Sequence, residues 1–243
     1  MKNSTLSEIN IQRDYYKKTS NQYNKMHTAD ETGEHFFALS CLAGLTDYLK
    51  IKSILDVGAG TGRSIKYLKK ICPKIKIIGI EPVKELREIA YAEGISRDEM
   101  IDGDATNINF KNLEFDLVCE FGVLHHIKNH KLAVDEMLRV SKKGIFISDT
   151  NNFAQGSIIK RSIKQILHTL RLWKFVDFVK TKGKGYTFSE GDGLAYSYSI
   201  FENYKQIKSH CSSVHIINTL EADINLYRTA THIALLGIKR INK

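Results

Sequence analysis

Two clusters of residue types in this chain have the chemistry to act on a small molecule. The first is Ser53-Ile54-Leu55-Asp56-Val57-Gly58-Ala59-Gly60-Thr61-Gly62-Arg63, an apolar run that ends in three alternate glycines. Glycine permits positive φ and close backbone approach to a ligand, and a helix starting just beyond would aim its free N–H groups at that ligand. A dinucleotide fingerprint needs G-x-G-x-x-G, which would put its third glycine where this chain has Arg63. That tells against a nicotinamide cofactor, and the absence of Gly-Lys-Ser/Thr excludes an ordinary phosphate loop. The second cluster is Glu120-Phe121-Gly122-Val123-Leu124-His125-His126. Either imidazole, with an ordinary pKa of about 6.5, suits a general base, and one of the two is expected to be structural.

Carboxylates at the ends of other apolar runs extend the pattern. Ile77-Ile78-Gly79-Ile80-Glu81 ends in an acid 23 residues after Gly58 (81 minus 58), close to the spacing of roughly 20 at which an acid reaches a ribose diol. Asp102-Gly103-Asp104-Ala105-Thr106 closes a third run, although Asp104 could instead cap a following helix. Asp149, Asn151 and Asn152 follow a fifth run, where they could bind substrate hydroxyls or a divalent ion such as Mg²⁺. Oxygen ligands from elsewhere in the chain are not identifiable, so no metal is assigned.

These residues converge only if the runs between them are strands of one sheet. From Lys52 onward, Ser53 to Val57, Ile75 to Ile80, Met100 to Ile101, Phe115 to Cys119 and Gly144 to Ile147 alternate with helical segments. Alternation of that kind predicts a parallel sheet covered on both faces, with ligands at its carboxyl edge. Val214 to Ile217 and His232 to Ile238 are expected to close the far edge as a hairpin. Upstream, about Leu6 to Lys50 reads as helix, with polar breaks at Thr19 to Asn24 and Thr28 to Gly33. There Phe37, Leu39, Leu42, Leu45 and Leu49 fall at helical spacing. One domain is expected: 1–50 a helical cap, 51–150 the cofactor core, 151–211 a substrate-facing insertion and 212–243 the closing strands.

The insertion is too long for a plain connection, and loops beyond about 15 residues usually serve as lids or binding segments. Ser157 to Lys184 holds eight basic residues, Lys160, Arg161, Lys164, Arg171, Lys174, Lys180, Lys182 and Lys184, against one acid, Asp177. Ile159, Ile163, Ile166, Leu167 and Leu170 fall at helical spacing behind Ser157, which predicts a capped amphipathic helix. Three uses fit: a solvated basic face over a core-facing stripe, a rim attracting an anionic substrate, or a helix on a membrane surface. Tyr186 to Ser199, which includes Tyr196 and Tyr198, mixes hydroxyls, acids and rings in a way that suits sugar, while Gly191-Asp192-Gly193 reads equally as a turn.

Composition narrows the classes further. The 243 residues are 42% hydrophobic and 26% charged, as in ordinary globular chains, and 36 Lys+Arg against 27 Asp+Glu give +9, which points to negatively charged partners. Cys41, Cys72, Cys119 and Cys211 lie far apart without a Cys-x-x-Cys pair, so a reducing cytoplasm is the expected setting. No apolar run approaches a membrane span. Basic charge without a recognisable RNA or DNA module argues against a nucleic-acid partner, and a homo-oligomer is left open.

In the order and spacing of the glycine loop, Glu81, Asp104 and Leu124-His125-His126, the chain resembles the class I S-adenosylmethionine-dependent methyltransferases over about Lys52 to Thr150. That resemblance implies a Rossmann-like, doubly wound α/β fold with a seven-stranded sheet, mostly parallel with an antiparallel last strand. It implies S-adenosylmethionine as cofactor and S-adenosylhomocysteine as product. By the same carry-over, Asp56 and the backbone of Gly58, Ala59, Gly60 and Gly62 hold the methionine end, Glu81 the ribose hydroxyls and Asp104 the adenine amino group. Ala105 backbone and Glu120 or Phe121 would line the pocket. The segments Asp149 to Gly156 and Tyr186 to Ser199 resemble stand-alone methyltransferases that decorate sugars of bacterial surface polysaccharides, such as capsule. This implies O-methylation of a sugar hydroxyl, on an anionic sugar nucleotide (of a heptose, for example) or sugar phosphate, with His125 or His126 as base and Asp149, Asn151, Asn152, Tyr196 and Tyr198 facing the substrate. The alternative is N-methylation of a small amine or of RNA.

Overall fold

The computed structural model describes residues 2–27, 33–220 and 222–240. In chain order the elements are α1 (Lys2–His27), α2 (Glu34–Leu45), β1 (Ser53–Val57), α3 (Arg63–Ile71), β2 (Lys76–Ile80), α4 (Lys84–Ala92), β3 (Met100–Ile101) and β4 (Phe115–Phe121). They continue with α5 (His130–Val140), β5 (Ser141–Thr150), α6 (Ile158–Thr169), α7 (Trp173–Lys180), β6 (Tyr186–Ser189), β7 (Gly193–Tyr196), α8 (Tyr204–His210), β8 (Ser213–Asn218), α9 (Leu226–Thr229) and β9 (His232–Ile238).

The sheet runs β3-β2-β1-β4-β5-β9-β8. β1 pairs in parallel with β2 and β4, and β4 with β5, while β9 runs antiparallel to both β5 and β8. The two late strands therefore close the edge as expected, and β9 is the antiparallel one. Strand residues alternate between faces: Leu55, Val57, Val118 and Ile145 pack into one core layer, while Ile54, Leu117, Cys119 and Phe146 pack into the other. Both faces are covered, which is why these strands read as continuous apolar runs. Chain order reverses between β1 and β4, and a crevice opens at their carboxyl ends.

Two expectations about helices need correction. α1 runs without interruption through Thr19 to Asn24. The Thr19 hydroxyl donates to the Tyr15 carbonyl and the Ser20 hydroxyl to that of Lys17, so these polar side chains fold back onto the helix rather than end it. The second expected break, from Thr28, lies outside the described residues up to Gly33. In α6, Ser157 caps the N-terminus as expected, accepting from the Lys160 N–H, yet the helix buries no residue. Its apolar stripe faces away from the core. β6 and β7 form a separate hairpin, whose turn reaches back over α1.

Candidate active site

β1 delivers the glycine loop to the crevice. Gly58 has φ +71°, and a Cβ there would lie 2.6 Å from the Val123 side chain, so only glycine lets this turn close against the segment after β4. Gly62, φ +81°, stands at the N-terminus of α3, where a Cβ would meet Ile95 at 2.0 Å. It seats the helix and does not line the cavity, which corrects the direct ligand role expected for it. Gly60 lies beneath the Tyr23 hydroxyl of α1 and donates its N–H to Glu81 at 3.0 Å.

The carboxylates are placed by the strand ends. Asp56 accepts from the Ser64 hydroxyl, and burial pushes its pKa up to about 6. Glu81 accepts N–H bonds from Gly60 and Val83, yet burial dominates and pushes it up to about 7. Asp104 caps a turn and not a helix, since no helix follows it before β4. One oxygen takes the N–H and hydroxyl of Thr106 in a turn, and the other faces Arg13 of α1 at 3.0 Å.

Three cavities follow one another along this edge. A cavity of about 350 Å³, mostly apolar, is lined by Glu81, Asp104, Ala105 and Phe121 with Tyr16 and Tyr23. A small one of about 90 Å³ shares both tyrosines and adds Asp56, Gly58, Ala59, Arg63 and His125. The third, about 980 Å³ and polar, lies under the insertion, where Asn152, Lys164, Lys180, Tyr196 and Tyr198 line it with His125 and Asp192. His125 and Asp192 therefore stand on the wall between the second and third cavities.

The imidazoles have different surroundings. His125 faces Asp149 through Nδ1 at 2.7 Å and Asp192 through Nε2 at 3.3 Å. Burial alone would lower its pKa, but the two carboxylates outweigh burial and hold it at about 10. His126 Nδ1 lies 2.7 Å from the Leu194 carbonyl and Nε2 2.9 Å from the Tyr16 hydroxyl, and burial and neighbouring His125 push its pKa down. Burial would raise the Asp192 carboxyl, yet the histidines draw it well below the usual carboxylate range.

Several expected contacts are not made. Asp149 is fully buried, with its oxygens taken by Leu124 N–H, Thr150 N–H and His125. The Asn151 amide is likewise spent on the Tyr227 and Ala230 carbonyls and the Ser199 hydroxyl. Neither lines the large cavity, so both position other groups instead of facing substrate. Glu120 is fully buried and accepts from the Val123 N–H at 2.8 Å, while Phe121, next along β4, lines the cavities. Among the described residues Glu120 Oε1 has no hydrogen-bond partner, and burial drives the carboxyl well above the usual range.

Contacts from α1 complete the site, among them those of Gln12 and Glu8, which sequence reasoning did not single out. Gln12 donates to the Asp192 carbonyl and accepts from Leu194 N–H, the Tyr15 hydroxyl donates to the Glu190 carbonyl, and the Tyr196 hydroxyl reaches Glu8. α1 is thus fastened to the β6–β7 turn that carries Asp192. Among the described residues, His125, His126 and Asp192 bring metal-ligand atoms within 4.8 Å of one another. The described contacts already engage these groups with Asp149, Leu194 and Tyr16 as well as with each other.

The order of strands is that of a Rossmann-like methyltransferase fold. Residues 55–148 match a family model described as a methyltransferase domain, and the chain carries this domain, with S-adenosylmethionine as cofactor. It is 33% identical over 99 residues to norajmaline N-methyltransferase of Rauvolfia serpentina, covering 39% of this chain and 34% of that protein. It is 26% identical over 206 residues to an uncharacterized methyltransferase of Alkaliphilus oremlandii, 80% of this chain and 88% of that one. The chain spans less than half the length of the first curated relatives it matches. In fold it is similar to the Synechocystis magnesium protoporphyrin IX methyltransferase solved with bound S-adenosylhomocysteine, at a TM-score of 0.60 and 13% identity, over 96% of this chain and 100% of that one. The donor set fits the cofactor: a glycine turn that no Cβ could enter, and a buried acid, Glu81, in which desolvation outweighs two backbone N–H bonds.

Proposed function

We propose that this protein transfers the methyl group of S-adenosylmethionine to a hydroxyl of an anionic sugar, a sugar nucleotide or sugar phosphate, with His125 as the general base. The observation that carries this reading is the position of His125, on the wall shared by the small cavity and the large polar one, with Asp149 fixing its far nitrogen. Glu81 accepts the ribose hydroxyls, Asp104 and Ala105 border the adenine, and Asp56 with the Gly58 and Ala59 backbone holds the methionine end. When bound, the cofactor supplies a methyl group made electrophilic by its sulfonium.

The residues align the acceptor with that methyl and exclude water, an effect that can account for about 7 to 11 kcal/mol of the barrier. His125 Nε2 takes the hydroxyl proton, which adds about 10² to 10⁴ in rate, and Asp149 keeps the Nδ1–H form. The neutral imidazole is the active form, so Asp192 must release Nε2 as the acceptor enters. Arg63, Lys164 and Lys180 line the large cavity and would pair with the acceptor's phosphate. Asn152, Thr187, Ser189 and Ser197 offer hydrogen bonds to sugar hydroxyls.

A second reading, N-methylation of a small amine, is favoured by Asp177 and Asp192, which put two carboxylates on the cavity wall. The matched norajmaline and phosphatidylethanolamine relatives are N-methyltransferases by name. Calorimetry with S-adenosylhomocysteine, followed by titration of nucleotide-linked sugars and then of amines, separates the two. Sugar binding tightened by the cofactor supports O-methylation, whereas a response to amines alone replaces it with the second reading.

A further inference from the structure

We infer that the α6–α7 hairpin is a docking surface for an anionic lipid bilayer, on which this protein sits peripherally with the mouth of its large cavity at the interface. α6 buries none of its residues. Ile159, Ile163, Ile166 and Leu170, which share one face, are each more than half exposed, Ile159 at 73%. On α7, Phe175 and Phe178 are also exposed, at 68% and 55%. Scattered apolar residues are normal on a protein surface, but a contiguous array on two adjoining helices marks an interaction site.

The hairpin is held by its other side, so this outward face is presented by a supported element. The Lys164 ammonium reaches the Asn152 carbonyl at 2.8 Å, and the Trp173 indole N–H donates to the Ser197 hydroxyl at 3.1 Å. Trp173 is itself buried, edge-on to Phe153. Anchoring from within leaves the isoleucines and phenylalanines with no core to join.

Charge selects the occupant. Ser157 to Lys184 carries eight basic residues and one acid, so the segment that bears the apolar face is strongly positive. A second copy of this chain would bring the same charge to the same face, and the resulting repulsion disfavours such a dimer. An amphipathic helix with an apolar face rimmed by Lys and Arg matches a bilayer interface: the apolar side chains enter the acyl boundary and the cations pair with anionic headgroups. Among the described residues no helix is long and apolar enough to cross a membrane, so the contact lies on the surface. Lys164 and Lys180 line the large cavity from these same helices, which puts docking and acceptor entry on one element.

Co-sedimentation of the whole protein with vesicles tests this. Vesicles of phosphatidylglycerol and phosphatidylcholine in equal parts should bind it at low salt, and pure phosphatidylcholine at least about tenfold less. Ile163→Asp and the double change Lys160→Glu with Arg161→Glu should each lower binding to the mixed vesicles by about the same factor. All three positions lie outside the cavities, so affinity for S-adenosylhomocysteine should stay at the wild-type value and report an intact fold. Absence of vesicle binding by wild type overturns the proposal, as does equal binding to neutral vesicles. Sedimentation velocity showing a dimer that Ile163→Asp dissociates would also overturn it and assign the face to a second copy. None of these outcomes depends on which acceptor is methylated.

Discussion

The His125 imidazole is clamped between two carboxylates from distant parts of the chain, Asp149 on Nδ1 at 2.7 Å and Asp192 on Nε2 at 3.3 Å. The first belongs to the sheet and cannot move without breaking β5, whereas the second rides on the β6–β7 turn. Both carboxylates raise the proton affinity of the base. Asp192→Asn should lower the His125 pKa from about 10, because it removes an anion that stabilises the imidazolium. The acid limb of the kcat/KM profile, which reports the free enzyme, should then move to lower pH. A limb that does not move removes Asp192 from control of the base.

The same clamp couples to stability. His125 has its pKa raised in the folded state to about 10, above an unfolded value near 6.5. Its contribution is therefore fully present below pH 6.5 or so and is lost as pH rises towards 10. The expected result is a Tm that falls across this window in wild type and falls less in His125→Gln, as followed by calorimetry or circular dichroism.

His125→Ala should lower turnover by about 10² to 10⁴, the scale of general-base catalysis, while leaving S-adenosylhomocysteine affinity close to wild type. His126→Ala should act differently. Its ring joins the Leu194 carbonyl to the Tyr16 hydroxyl, so its loss should loosen the cover over the cofactor cavities and weaken cofactor binding. Paired measurements of kcat and cofactor Kd distinguish the two, and equal effects of both changes on Kd would contradict the assignment.

Glu81 is raised to about 7 by burial, so below that pH it is largely the neutral acid before the cofactor arrives. The carboxylate is the form that accepts two ribose hydroxyls, so S-adenosylhomocysteine should bind more tightly as pH rises through about 7 and release a proton on binding. Glu81→Ala should weaken binding by about 1.5 to 3 kcal/mol, the scale of hydrogen bonds to a charged group. Calorimetry in buffers of different ionisation enthalpy reads both quantities, and an unchanged affinity would sink the ribose assignment.

Gln12 ties α1 to the turn that bears Asp192, accepting from the buried Leu194 N–H. Gln12→Ala leaves that donor without its partner, which should cost about 1 to 3 kcal/mol of stability. It should also weaken any mutual tightening of cofactor and acceptor, since the helix over one cavity would no longer be joined to the hairpin over the other. A double titration in calorimetry measures the loss.

Local physics was legible in the residues themselves. The apolar runs fixed which segments are strands, because a strand buried on both faces needs side chains that tolerate burial on both. Gly58 announced the turn because no other residue takes its backbone angle beside Val123. Those two facts placed Asp56, Glu81 and Asp104 at one edge before any contact was known. The period of two along β4 separates Glu120 from Phe121, but which of them meets the cavity depends on which face the helices leave open. Asp192 read equally as a turn residue or as one acid of a sugar-suited mix, because its role depends on where the hairpin docks, and docking is set by Gln12 and Tyr15 far away in sequence. The α6 stripe carries the period of a buried face and is exposed, since periodicity records which residues share a side and only packing decides whether anything covers it.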